Sequence, residues 1–118
     1  MFTKLDGYWI SFLFLKGIYF IHKDEYDWDF PILLSDMQLL EDEISSDPAQ
    51  LQDWNNCLVE ELVSEKDVFD AMFVFLEQYR QRGDRGEIRK LLDYLTQDSE
   101  AIAAEWQKHV EDFVVKYK

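Results

Sequence analysis

Apolar positions along this chain fall into two regimes, and from residue 35 onward they recur at the three- and four-residue steps of a helix face. Ser35 followed by Gln38 has the form of a capping box, and Met37, Leu40 and Ile44 share one face, which predicts a short first helix. Asp47 then Pro48 reads as an N-cap followed by proline at the first helical position. Leu51, Trp54, Leu58 and Leu62 carry the stripe of a second helix from there. Ser64 with Asp67 caps a third, whose Val68, Phe69, Met72, Phe73, Leu76 and Tyr79 form a broad apolar face ending near Gly83. A fourth runs from about Glu87 to Leu95, aligning Ile88, Leu91, Leu92 and Leu95. Asp98 or Ser99 caps a fifth that carries Ile102, Trp106, Val110, Phe113, Val114 and Tyr117.

The N-terminal third follows the other regime. Tyr8, Trp9, Ile10, Phe12, Phe14, Ile18, Tyr19, Phe20 and Ile21 are aromatic or β-branched, as strands prefer, and two strands turning at Lys16-Gly17 would make a β-hairpin over residues 8–22. The same residues are apolar on nearly all sides, which fits one helix through the middle of a bundle, with Gly17 costing roughly 1 kcal/mol relative to Ala. A bundle needs a central element, whereas an isolated hairpin leaves its second apolar face to be covered by something else, so the buried helix is favoured. The expected fold is mainly α, a single helical domain over residues 1–118 with about five to six helices. The alternative is α+β with the hairpin at 8–22.

Tyr8 to Ile21 is also the stretch nearest to a membrane span or a leader, but at 14 residues it is short of the roughly 20 a span requires. It is broken by Lys16 and runs into His22, Lys23, Asp24 and Glu25. The preceding MFTKLDG offsets its Lys with Asp6, and no small-x-small cleavage site follows. Neither a membrane segment nor a secretory leader is expected. A single cysteine, Cys57, excludes an internal disulfide and a Cys-based zinc site and suits a reducing cytoplasm, the expected location.

Charge changes the picture. Against 12 Lys and Arg stand 25 Asp and Glu, for a net charge of −13, which argues against binding nucleic acid or anionic lipid through phosphates and favours a cationic partner. The imbalance is local. Residues 24–65 carry 13 carboxylates and no Lys or Arg, while the other 76 residues carry 12 acids and 12 bases. Interspersed bases normally limit self-repulsion on a surface, so their absence here has a cost that suggests a use. The opposite bias lies in YRQRGDRGEIRK, residues 79–90, with Arg80, Arg82, Arg85, Arg89 and Lys90 against Asp84 and Glu87. This basic turn is expected to meet the acidic window within the chain or to edge a protein interface, since so few bases on a chain this acidic would hold nucleic acid weakly.

Signatures of catalysis are missing. There is no GxSxG elbow, glycine-rich phosphate loop, HExxH or CxxC. Cys57 could pair only with His22 or His109, and the nearby Glu60 and Glu61 disfavour a thiolate, so an inert cysteine is expected. Both histidines read as surface or capping residues. Glu105 and His109 are spaced by four, not the three of a di-iron Glu-x-x-His, with no second copy. DEYDWD at residues 24–29 has calcium-like composition, but an EF-hand loop begun at Asp24 would have Asp29 where it needs Gly and Ser35 where it needs Glu. No enzyme activity, metal or cofactor is expected.

What the window does offer is a binding face. Carboxylates steer a basic protein to the surface, and interleaved aromatics such as Tyr26, Trp28, Phe30 and Trp54 anchor it. The expected contact residues are Asp24, Glu25, Tyr26, Asp27, Trp28 and Asp29, with the clusters Glu41, Asp42, Glu43 and Glu60, Glu61. In size, acidity, helical content and lack of catalytic motif, the chain resembles the bacterial immunity proteins that neutralise polymorphic toxins, including those of contact-dependent growth inhibition. The likeness rests on the window DEYDWDFPILLSDMQLLEDEISSDPAQLQDWNNCLVEELVSE and is one of class. It implies a non-enzymatic inhibitor whose partner is a basic toxin domain, a nuclease being the expected type, with no direct contact to nucleic acid or membrane. A helical adaptor that binds a protein through apolar surface is the alternative, and phage-encoded nucleic-acid mimics share similar features.

Overall fold

The first helix begins well before the apolar run. In the computed structural model, which describes residues 2–22, 34, 37, 48–82 and 87–117, β1 (Phe2–Thr3) passes directly into α1 (Lys4–His22). The junction is a reciprocal cap. Thr3 Oγ1 accepts from the Asp6 N–H at 3.0 Å, and Asp6 Oδ2 accepts from the Thr3 N–H at 3.2 Å, satisfying two donors that a helix start otherwise leaves open. With its start fixed there, the apolar run extends as helix, and the hairpin over residues 8–22 is not formed.

α1 is the central element, and its sequence shows why. Tyr8, Ile10, Phe12, Phe14, Leu15 and Ile18 are buried, Trp9, Leu13 and Tyr19 are partly buried, and Lys16 is exposed. A helix apolar on most of its circumference needs neighbours on several sides. It has them: α2 (Pro48–Asn56), α3 (Glu65–Gln81) and α5 (Ser99–Tyr117) all pack on α1, while α4 (Glu87–Gln97) bridges α3 and α5.

Two aromatic nodes fix α1 in place. Near its N-terminus, Tyr8 and Phe75 of α3 meet Trp54 of α2 edge-on, with centroids 6.2 Å and 6.0 Å away. One and a half turns on, Phe14 meets Trp106 of α5 at 5.2 Å and Phe69 of α3 at 6.5 Å. Edge-to-face pairs add roughly 0.5–1.5 kcal/mol each beyond the area they bury. The polar ends of these rings are used as well. Trp54 Nε1 donates to Lys4 O at 2.8 Å, and the Tyr8 hydroxyl donates to Met37 O at 2.7 Å. Leu34 and Met37 are helical and buried; Ser35, Gln38, Leu40 and Ile44 of the first expected helix lie outside the described residues.

The remaining caps follow the sequence. Ser64 Oγ accepts from the Asp67 N–H at 3.2 Å at the start of α3, and Asp98 Oδ1 accepts from the Ala101 N–H at 3.2 Å, so Asp98 rather than Ser99 is the N-cap of α5. Pro48 opens α2 as expected, and Asp47 lies outside the described residues. α4 buries Ile88, Leu91 and Leu95 and exposes Arg89, Lys90, Asp93 and Thr96, a one-sided face suited to closing the outside of the bundle.

The second helix is shorter than its stripe predicts. The Cys57 N–H bonds Trp54 O at 2.9 Å and the Leu58 N–H bonds Asn55 O at 3.4 Å, tightened turns that end α2 at Asn56. Leu58 is buried outside any helix. Leu62 lies in β2 (Leu62–Val63), which pairs antiparallel with β1 in the register Phe2↔Val63 and Thr3↔Leu62. A strand pair so short and so far apart in sequence carries no periodic signal. What decides it is the docking of Phe2 and Val63, both buried, with Phe2 edging Phe113 of α5 at 6.3 Å.

Candidate partner-binding surface

The four described carboxylates of the acidic window divide into two kinds. Asp53, on α2, receives the Arg82 guanidinium in a two-pronged contact, with Nη2 at 3.0 Å from Oδ1 and Nη1 on Oδ2. The basic turn after α3 thus reaches back to the acidic window, as its charge suggested. Glu65 stands in the first turn of α3, where a negative charge faces the positive end of the helix dipole. Both carboxylates are therefore used by the fold itself.

Glu60 and Glu61 are not. They sit on the connection between α2 and β2, both exposed, and among the described residues neither takes part in an ion pair. Four of the described cations have partners of their own. Lys4 Nζ donates to Asn55 O at 3.4 Å, Lys66 lies 3.6 Å from Asp70, Arg82 holds Asp53, and Arg80 Nε donates to Glu77 Oε2 at 3.0 Å. That last contact, chiefly through its hydrogen bonds, holds the Glu77 carboxyl below its ordinary range.

The segment bearing Glu60 and Glu61 is pinned at both ends. Leu58 is buried on one side and Val63 on the other, and Ser64 then caps α3. Between these anchors the chain displays Val59, 93% exposed, and Leu62, 56% exposed, flanking the two carboxylates. Such a short arch has little freedom left to lose on binding, which favours recognition over an equally charged flexible loop. Its charge and its apolar side chains together suit a cationic surface with an apolar contact at its centre.

Other expected contact residues fare differently. Asp24, Glu25, Tyr26, Asp27, Trp28, Asp29, Glu41, Asp42 and Glu43 lie outside the described residues, as does Phe30. Trp54, expected as an interface aromatic, is fully buried. Its place is the α1–α2–α3 core, because a ring on the inner face of α2 bonded to Lys4 O has no route to a partner. The sequence stripe had itself placed Trp54 in line with Leu51 and Leu58, and that signal was the correct one.

Cys57 sits in the turn that ends α2, not on a helix. Its Sγ donates to Asp53 O at 3.3 Å and lies 3.8 Å from Gln78 Oε1. Burial, with a smaller effect of the Asp53 charge, pushes the thiol up from its ordinary value and keeps it protonated. The acid responsible is Asp53, where sequence proximity had suggested Glu60 and Glu61. His109, expected as a surface or capping residue, lies within α5 and is half-buried against α1, with its ring 5.6 Å from that of Phe14.

Among the described residues no three His, Cys, Asp or Glu side chains gather as a metal-ion site, and no helix is long and apolar enough to cross a membrane. No family model, no curated protein and no solved structure matches the chain.

Proposed function

We propose that the chain is a non-enzymatic acidic inhibitor, an immunity protein of the kind that neutralises a polymorphic toxin, and that its partner is a basic toxin domain of nuclease type in the cytoplasm. The observation that carries this reading is the charge asymmetry. One window holds the entire excess of −13, and among the described residues its exposed Glu60 and Glu61 take part in no ion pair. A nuclease cleft is built to attract a polyanion, so a carboxylate surface competes directly for it. Asp53 and Glu65, which were not among the expected contacts, have structural duties. Glu60 and Glu61 stay in the contact set with Val59 and Leu62 as apolar neighbours, alongside Asp24–Asp29 and Glu41–Glu43.

The test pairs the chain with the basic C-terminal domain of a secreted protein encoded beside it. Co-expression of the wild type restores growth, whereas Glu60→Lys with Glu61→Lys weakens protection and slows association. Full protection by the charge-reversed variant removes the arch from the interface; failure of the wild type to protect refutes the reading.

A second reading, a helical adaptor, draws support from the apolar side chains that α5 leaves exposed near its end: Val114 at 40%, Val115 at 86% and Tyr117 at 48%. Salt separates the two. Binding that weakens steeply with ionic strength belongs to the charged surface, and binding insensitive to salt belongs to the apolar one.

A further inference from the structure

We propose that the seam between α1 and α5 is a proton-sensitive latch: the neutral His109 ring seats on the bare backbone of Gly17 and holds the C-terminal half of α1 against α5, and protonation of the ring releases it.

The seat is made by the absence of a side chain. A Cβ placed on Gly17 would lie 3.0 Å from Cε1 and 3.2 Å from Nε2 of His109, so the ring occupies the space any other residue would fill. The Phe14 ring lies 5.6 Å away, its plane turned 83° from that of the imidazole. α1 therefore presents to the imidazole a glycine and a phenyl ring. Lys16, next along α1, is exposed and lies over the Phe12 ring at 5.8 Å. α3 reaches this region through Phe69, packed on Trp106 at 5.1 Å, and no α3 charge is among those that act on the ring.

Among the described residues, the charged groups acting on the ring belong to α5. Asp112 and Glu105 favour the imidazolium and Lys108 opposes it, but burial outweighs them and holds His109 below its ordinary value of 6.5. The unfolded chain therefore takes up a proton before the folded one does. Stability from the seated ring is complete above about pH 6.5 and is lost as pH falls through the lower folded value.

The released state has its own partners. Glu105 lies one helical turn before His109, and its Oε2 is buried without a hydrogen-bond partner; Asp112 lies three residues beyond. An imidazolium that leaves Gly17 finds a carboxylate on either side of it along α5 at helical spacing. Two arrangements of one side chain, packed and neutral or swung out and paired, are what a two-state switch requires.

The experiment is amide hydrogen exchange of the full chain from about pH 7.5 to about pH 5.5, corrected for intrinsic rates, with the imidazole titration followed by NMR. Protection of residues 14–21 is expected to fall several-fold through the His109 midpoint, while the amides of Val68–Leu76 in α3 hold. His109→Gln and Gly17→Ala each abolish the step. Glu105→Gln and Asp112→Asn each move the midpoint down, and Lys108→Gln moves it up. His22→Gln, which removes the other histidine, leaves it in place. An unchanged step in His109→Gln, a step lost in His22→Gln, or a His109 midpoint at or above 6.5 overturns the proposal.

Discussion

Replacing Gly7 by Ala sets helix propensity against packing, and the structure decides the winner. In a helix interior Ala is favoured over Gly by about 1 kcal/mol, so by propensity alone Gly7→Ala stabilises α1. In the folded chain, however, the added Cβ lies 3.0 Å and 3.3 Å from the two γ-carbons of Val68 and 3.1 Å from Trp54 Cζ2. Val68 is fully buried and β-branched, which leaves it essentially one rotamer in a helix. Trp54 is fully buried and tethered by its 2.8 Å bond to Lys4 O. Neither neighbour can yield without shifting α2 or α3. Overpacking of this kind costs about 1–3 kcal/mol, so the net effect is a loss of about 1 kcal/mol and a fall in Tm of roughly 4 °C. Gly17→Ala is the internal comparison. Its Cβ meets only the His109 ring, which is half-buried and can turn outward, so its propensity gain and contact cost cancel to within about 0.5 kcal/mol. Urea denaturation of both variants, with unchanged m-values, reads the difference. If Gly7→Ala matches or exceeds the wild type, or Gly17→Ala proves the more damaging of the two, the packing argument for α1 is wrong.

Other expectations concern single contacts. Thr3→Ala removes the hydroxyl that accepts from the Asp6 N–H, one half of the reciprocal cap, and should cost about 1 kcal/mol, read as lost stability and earlier exchange in the first turn of α1. Trp54→Phe keeps a ring in the core but deletes the donor to Lys4 O; a loss of about 1–3 kcal/mol in denaturant titration is expected, with no change in affinity for a basic partner. Asp53→Asn relieves part of the charge that raises the Cys57 thiol, so alkylation by iodoacetamide near pH 8 should speed up while burial keeps the cysteine slower than a free thiol; an unchanged rate would remove Asp53 as a cause.

The elements legible in the sequence were those whose cause is local. The apolar repeats from Val68 to Tyr79, Ile88 to Leu95 and Ile102 to Tyr117, Ser64 with Asp67, Asp98 before its helix and Pro48 at a helix start all act within one or two turns, and each appears in the structure where the spacing puts it. The reciprocal cap of Thr3 and Asp6 was as local and as readable, and would have started α1 before the apolar run. Net charge and its confinement to one window were likewise fixed by composition.

Tertiary packing settled the remainder. Whether the apolar run was helix or hairpin depended on what could surround it, and α2, α3 and α5 supply those surfaces from distant parts of the chain. Leu62 left a helical stripe for β2, where the strand pairing docks Phe2 and Val63 into the core. The fate of the described carboxylates was decided in the same way. Asp53 found Arg82 across the fold, while Glu60 and Glu61 form no ion pair among the described residues, a distinction that sequence neighbourhood cannot encode because Coulomb interaction follows distance in space.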